Sequence, residues 1–110
     1  DGEQTRDFIH VSDVIAALII CGQSLLEQGT ASPAHGESFN VCTGQPVTLN
    51  QVVKVIEDCI EHKLDIVYDE AREGDIKHSS GDSTKLQQNF DWSPNFTLSE
   101  GISDLISHSN

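Results

Sequence analysis

The chain has no methionine among its 110 residues. The absence extends to position 1, so the sequence is expected to begin inside a longer reading frame. Positive charge is scarce. Six lysines and arginines face eighteen aspartates and glutamates, a formal net charge of -12. That balance argues against gripping nucleic acid or an anionic membrane through a broad basic surface. It leaves room for a small anion held locally by one or two arginines. Cysteine is limited to Cys21, Cys42 and Cys59, an odd number without CxxC spacing. Buried thiols in a reducing compartment are the expectation, not a disulfide framework or a zinc site. The five histidines are scattered, and no two of them stand four residues apart as a helical metal-ligand pair. The longest unbroken apolar run, Val14 to Cys21, is too short to span a bilayer. The first residues carry no targeting signal.

What is present is a chain sized for one small domain, or for part of a larger one. Phe8 to Val11 reads as a short strand. Ser12 or Asp13 then offers an oxygen to cap a strongly apolar helix running to about Glu27. Its apolar residues lie on more than one side, which predicts a covering partner. A loop over 28–37 leads to a second strand, Ser38 to Thr43. Thr48 and Gln51 form a capping-box pattern ahead of a second amphipathic helix. Leu64 to Tyr68 reads as a third strand, and 69–82 as a polar loop. Ser83 or Thr84 starts a short helix with Leu86 inward. Thr97 and Glu100 box the last helix. Strands alternating with helices predict an α/β fold with a small, mainly parallel sheet of about three strands and flanking helices.

The chain has only two arginines, Arg6 and Arg72. Each opens a segment of its own: Arg6-Asp7-Phe8-Ile9-His10-Val11 and Arg72-Glu73-Gly74-Asp75. A guanidinium fixed at the edge of a packed layer is suited to a phosphate-bearing ligand. The bland alternatives are an arginine paired with Asp7 or Glu3, and an ion pair of little weight within the second loop.

Four blocks give the chain a resemblance. They are 2–13 (GEQTRDFIHVSD), 39–44 (FNVCTG), 72–85 (REGDIKHSSGDSTK) and 90–102 (FDWSPNFTLSEGI). In order and spacing they resemble the extended short-chain dehydrogenases/reductases, the NAD-dependent nucleotide-sugar epimerases and dehydratases. The likeness is greatest to UDP-glucose and UDP-N-acetylglucosamine 4-epimerases. It implies a Rossmann-type enzyme of which residues 1–110 are a single C-terminal, substrate-binding portion, with the N-terminal NAD-binding half outside it. It also implies that Arg6 and Arg72 meet the diphosphate of a nucleotide sugar from two sides, and that Asp75 accepts hydrogen bonds from the ribose hydroxyls. Cys42 departs from the pattern, standing where the family has a glycine.

The family's chemistry needs a glycine-rich turn for the NAD pyrophosphate, and the eight glycines supply no GxGxxG spacing. It needs a tyrosine with a lysine four residues later, and the sole tyrosine, Tyr68, is followed at that distance by Arg72. The chain alone is therefore expected to hold no catalytic residue and no cofactor, NAD belonging to the parent enzyme. A cytoplasmic, nucleotide-sugar-binding, non-catalytic portion is the reading, without nucleic-acid or membrane partners. The alternative is an interaction module or inert remnant. Self-association into a homodimer through the apolar helix is expected in either case.

Overall fold

A computed structural model describes residues 1–70 and 72–108. The elements run β1 (Thr5–Arg6), α1 (Val11–Gln28), β2 (Val47–Thr48), α2 (Leu49–Ile60), α3 (Thr84–Asn89) and α4 (Leu98–Ser107). A 3-10 turn, Gly29–Ala31, follows α1.

Helix placement follows the sequence reading closely. Both capping boxes form. The Thr48 hydroxyl accepts the Gln51 N–H at 3.0 Å, and Gln51 Oε1 accepts the Thr48 N–H at 2.7 Å. In α4 the Thr97 hydroxyl accepts the Glu100 N–H at 3.1 Å, and Glu100 Oε1 accepts the Thr97 N–H at 3.0 Å. The first of these boxes is uncharged and the second is not. Bonding from the Thr97 N–H, then from its hydroxyl, holds the exposed Glu100 carboxyl below its usual range. The folded value thus lies under the unfolded one, about 4.3. The stabilisation is complete above that pH and is lost as pH falls through the folded value. In an acid titration followed by amide NMR, the Thr97 N–H should shift with a midpoint below about 4.3, while the Thr48 N–H stays still. A Thr97 midpoint above that value would contradict the assignment.

The cap of α1 differs from expectation. Neither Ser12 nor Asp13 supplies it. The N-cap is His10, whose Nδ1 accepts the Ser12 N–H at 3.0 Å. Because Nδ1 is the acceptor, the proton lies on Nε2, which donates to Asp104 Oδ2 at 3.0 Å. The His10 ring also stacks on Phe96, with centroids 4.1 Å apart. One imidazole thereby ties the start of α1 to α4. Asp13 is buried instead, with its carboxylate bonded to the N–H groups of Asn95 and Phe96.

The sheet needs a correction. It has two strands, paired antiparallel, with Thr5 opposite Thr48 and Arg6 opposite Val47. The opposite edge of β1 takes a single parallel bridge, Thr5 to His78. There the Thr5 N–H donates to the Lys77 carbonyl at 2.8 Å, and the Ser79 N–H to the Thr5 carbonyl at 3.0 Å. None of the three expected strands is a strand among the described residues. Ile9, Phe39 and Val41 do pack on the core, but side-chain alternation alone does not make a ladder. A strand exists only where a neighbour meets its backbone groups. The segments 8–11, 38–43 and 64–68 meet no such neighbour among the described residues.

The core is small. Ala17 of α1, Leu86 of α3 and Trp92 form it, with Cys21, Phe39 and Phe90 packed around. Leu86 is the one fully buried large side chain among the described residues. The Trp92 indole N–H donates to the Asp13 carbonyl at 2.9 Å, locking the 92–96 segment to α1. Elsewhere α1 is bare: Leu18 is 68% and Leu26 90% exposed. The run Val11–Ala31 is long and apolar enough by length and composition to cross a bilayer, which corrects the estimate from Val14 to Cys21 alone. A core helix of a soluble protein meets the same two criteria, and α1 packs into the core through Ala17.

Candidate functional site

The segment after α2 returns past the start of the chain, and the two border an open cavity of about 730 Å³. It is lined by Leu49, Asn50 and Val53 of α2, by Gln4, and by Tyr68, Arg72, Asp75 and Lys77 of the later segment. The volume falls within the span of small-ligand sites, about 300–1,000 Å³.

Arg72 and Asp75 belong to one closed turn. The Asp75 N–H donates to the Arg72 carbonyl at 3.1 Å, and Asp75 Oδ2 accepts the Arg72 N–H at 3.2 Å. Gly74 sits within it at φ 84°, a conformation that disfavours a side chain. The turn spends one carboxylate oxygen on its own backbone. Asp75 Oδ1 and the guanidinium of Arg72 carry no protein hydrogen bond in the described structure. A carboxylate acceptor and a forked cationic donor are thus presented three residues apart on one cavity wall.

Arg6 is placed differently. Its Nη2 donates to the Ile76 carbonyl at 2.6 Å, and its Nη1 to the carbonyls of Thr5 at 2.7 Å and Lys77 at 3.4 Å. Arg6 lines a separate cavity of about 370 Å³ with Asn40, Cys42 and Ser79. The structure therefore brings Arg72 and Asp75 together in one cavity. It connects Arg6 to them through the loop backbone that Arg6 holds, not across a shared space.

Asp7 holds the wall beside Arg6. Its carboxylate accepts from the Thr43 N–H at 3.0 Å, the Thr43 hydroxyl at 2.6 Å and the Gly44 N–H at 2.7 Å. Among the described residues Asp7 forms no ion pair with Arg6, whose guanidinium goes to backbone carbonyls instead. Cys42 fits because of a second glycine. A Cβ added to Gly81 would come within 2.9 Å of Cys42 Sγ. The missing side chain at 81 is the space that the thiol occupies.

Sequence reasoning missed Asn50 and Tyr68. The Tyr68 hydroxyl donates to Asn50 Oδ1 at 2.9 Å, and Asn50 Nδ2 donates to Glu3 Oε1 at 2.6 Å. The Asn50 N–H donates to the Gly2 carbonyl at 2.9 Å, and its carboxamide lies where a Cβ on Gly2 would stand. The positive φ of Gly2, 80°, was the only local signal, and the sequence does not print it.

The family model described as GDP-mannose 4,6 dehydratase matches residues 1–105. The chain belongs to this family, within the extended short-chain dehydrogenases/reductases. Among its relatives is GDP-6-deoxy-D-mannose reductase of Pseudomonas aeruginosa, 28% identical over 97% of this chain and 33% of that protein. Another is UDP-glucose 4-epimerase of Mycolicibacterium smegmatis, 29% identical over 96% of this chain and 31% of that protein. Among solved structures, UDP-glucose 4-epimerase of Stenotrophomonas maltophila, with bound NAD and formylated UDP-arabinopyranose, superposes with a TM-score of 0.83. It is 26% identical, over 94% of this chain and 30% of that one. The chain thus spans about a third of the length of the relatives it matches. The Rossmann-type α/β class is that of its structural neighbours.

Proposed function

We propose that this chain is the portion of a nucleotide-sugar-converting enzyme that binds the nucleotide diphosphate of the substrate. Arg72 contacts the diphosphate and Asp75 accepts from the ribose hydroxyls. One observation carries the reading: a guanidinium and a carboxylate oxygen, both without hydrogen-bond partners among the described residues, belong to one turn that lines a cleft of suitable size. Arg6 holds the loop that presents them. Its guanidinium stays on the Ile76 and Lys77 carbonyls, so its part is to position the turn rather than to touch the phosphate.

Charge opposes this reading at long range. Asp1, Asp69 and Glu70 line the same cavity, and the whole chain is acidic. At physiological salt the screening length is about 8 Å. Acids elsewhere on the chain are screened at that length, but those lining the cavity are not, and Arg72 and Lys77 must offset them there.

Helices α1, α2 and α4 each carry a capping side chain, from His10, Thr48 and Thr97, at the end where a pyrophosphate would approach. No residue of this chain is assigned to NAD, and none to proton transfer. The free cysteines fit a reducing, cytoplasmic setting.

Calorimetric titration of UDP into the chain tests the proposal. Binding in the millimolar range or tighter is expected, about 4 kcal/mol or more. Arg72→Ala should weaken it at least about tenfold, the loss of one hydrogen bond to a charged group. Equal affinity in wild type and variant would contradict the assignment.

The bare face of α1 favours a second reading, a module that pairs with a protein surface or with its own copy. Sedimentation should then show self-association of the isolated chain. A monomer at all concentrations would count against pairing between copies.

A further inference from the structure

We infer that Tyr68 is the platform on which the nucleobase of the bound nucleotide stacks, and that Asn50 is the residue that positions its ring. The inference rests on the nucleotide-diphosphate reading of the cavity and adds a part that this reading leaves open. A guanidinium serves the phosphates and a carboxylate the ribose, but neither recognises a flat, aromatic, weakly polar base.

Tyr68 is the only tyrosine in the chain and lines the same cavity as Arg72 and Asp75. It is 56% exposed, although its hydroxyl is bonded. An aromatic ring left half in water is an apolar surface without a cover. Ile66 and Val67 beside it are exposed too and extend that surface along the cavity. A free surface tyrosine would rotate. This one is tethered at its far end to Asn50 Oδ1, and Asn50 is itself held by Glu3 and by the Gly2 carbonyl. The ring is therefore set in place before a ligand arrives, which lowers the entropic cost of binding. Stacking depends on the π-face and tolerates any base. The platform thus commits the site to nucleotides as a class and leaves the choice of base to other contacts.

The test uses UDP with wild type, Tyr68→Phe and Tyr68→Ala, read by calorimetry and by NMR of the ligand. Tyr68→Ala should lower UDP affinity by about tenfold, the usual scale of one base–aromatic stack. Tyr68→Phe keeps the ring and should stay within about threefold of wild type, the share of one modest hydrogen bond. The uracil H5 and H6 resonances should move upfield on binding to wild type and to the Phe variant, and not to the Ala variant. Two results would overturn the inference while sparing the diphosphate site. One is unchanged UDP affinity in Tyr68→Ala. The other is a bound state in which the ribose resonances respond and the base resonances do not. Absence of any UDP binding to wild type would instead remove the underlying site, and the platform with it.

Discussion

Asp13→Ala is expected to destabilise the chain by about 2–4 kcal/mol, through two buried or half-buried backbone donors that lose their acceptor. The Asp13 side chain is almost wholly covered, at 2% exposure for the residue. Its two oxygens take the N–H groups of Asn95 at 2.9 Å and Phe96 at 3.2 Å. These bonds fix the segment leading into α4, and Phe96 in turn stacks on His10. Removing the carboxylate also slackens the Trp92 bond to the Asp13 carbonyl, because both hold the same segment. Asp13→Asn should fall between the two, since one carboxamide oxygen remains while the amide group faces the other donor. Against a total stability of about 5–15 kcal/mol for an ordinary domain, the loss is large. Urea unfolding followed by Trp92 fluorescence measures it, and a change below about 1 kcal/mol would mean that water replaces the carboxylate without strain.

Leu86→Ala should cost about 2–5 kcal/mol by the same measurement. Leu86 is fully buried, and among the described residues the cluster it anchors has Ala17 and Trp92 as its other buried members. A core with so few members cannot close over a cavity by spreading the adjustment among many neighbours. Phe90 and Phe39, in edge-to-face contact at 5.8 Å between centroids, would be the first to lose their packing. Lys85 lies over the Phe39 ring and pairs with Glu37 at 2.9 Å, but that exposed pair is a weak substitute for core volume. A loss under about 1 kcal/mol would show that α3 does not carry the fold.

The helices were legible because their signals are local. A threonine three residues before a glutamine or glutamate, followed by an apolar stripe, states both the start and the buried face of α2 and of α4. The cap of α1 was not legible, since an imidazole nitrogen seldom accepts at an N-cap and Asp13, the better candidate, is drawn to residues 82 and 83 positions away. The sheet misled for a related reason. Apolar alternation over 38–43 and 64–68 reports a side-chain environment, whereas a ladder requires a partner backbone. The site divides in the same way. Arg72 and Asp75 announced themselves by forming a short turn with a glycine. Tyr68 and Asn50 meet across 18 residues and leave no pattern in the chain. Arg6 was legible as a fixed guanidinium, but what fixes it are carbonyls 70 and 71 residues downstream.

The most direct test is an amide NMR map of the isotopically labelled chain titrated with UDP. The largest shifts should fall on Asn50, Tyr68, Arg72, Gly74 and Asp75, with smaller ones at Ile76 and Lys77 where Arg6 holds the loop. Shifts confined instead to a second, apolar pocket lined by Val52 and Ile56 of α2 and Ile102 of α4, or a spectrum that UDP leaves unchanged, would contradict the placement of the nucleotide.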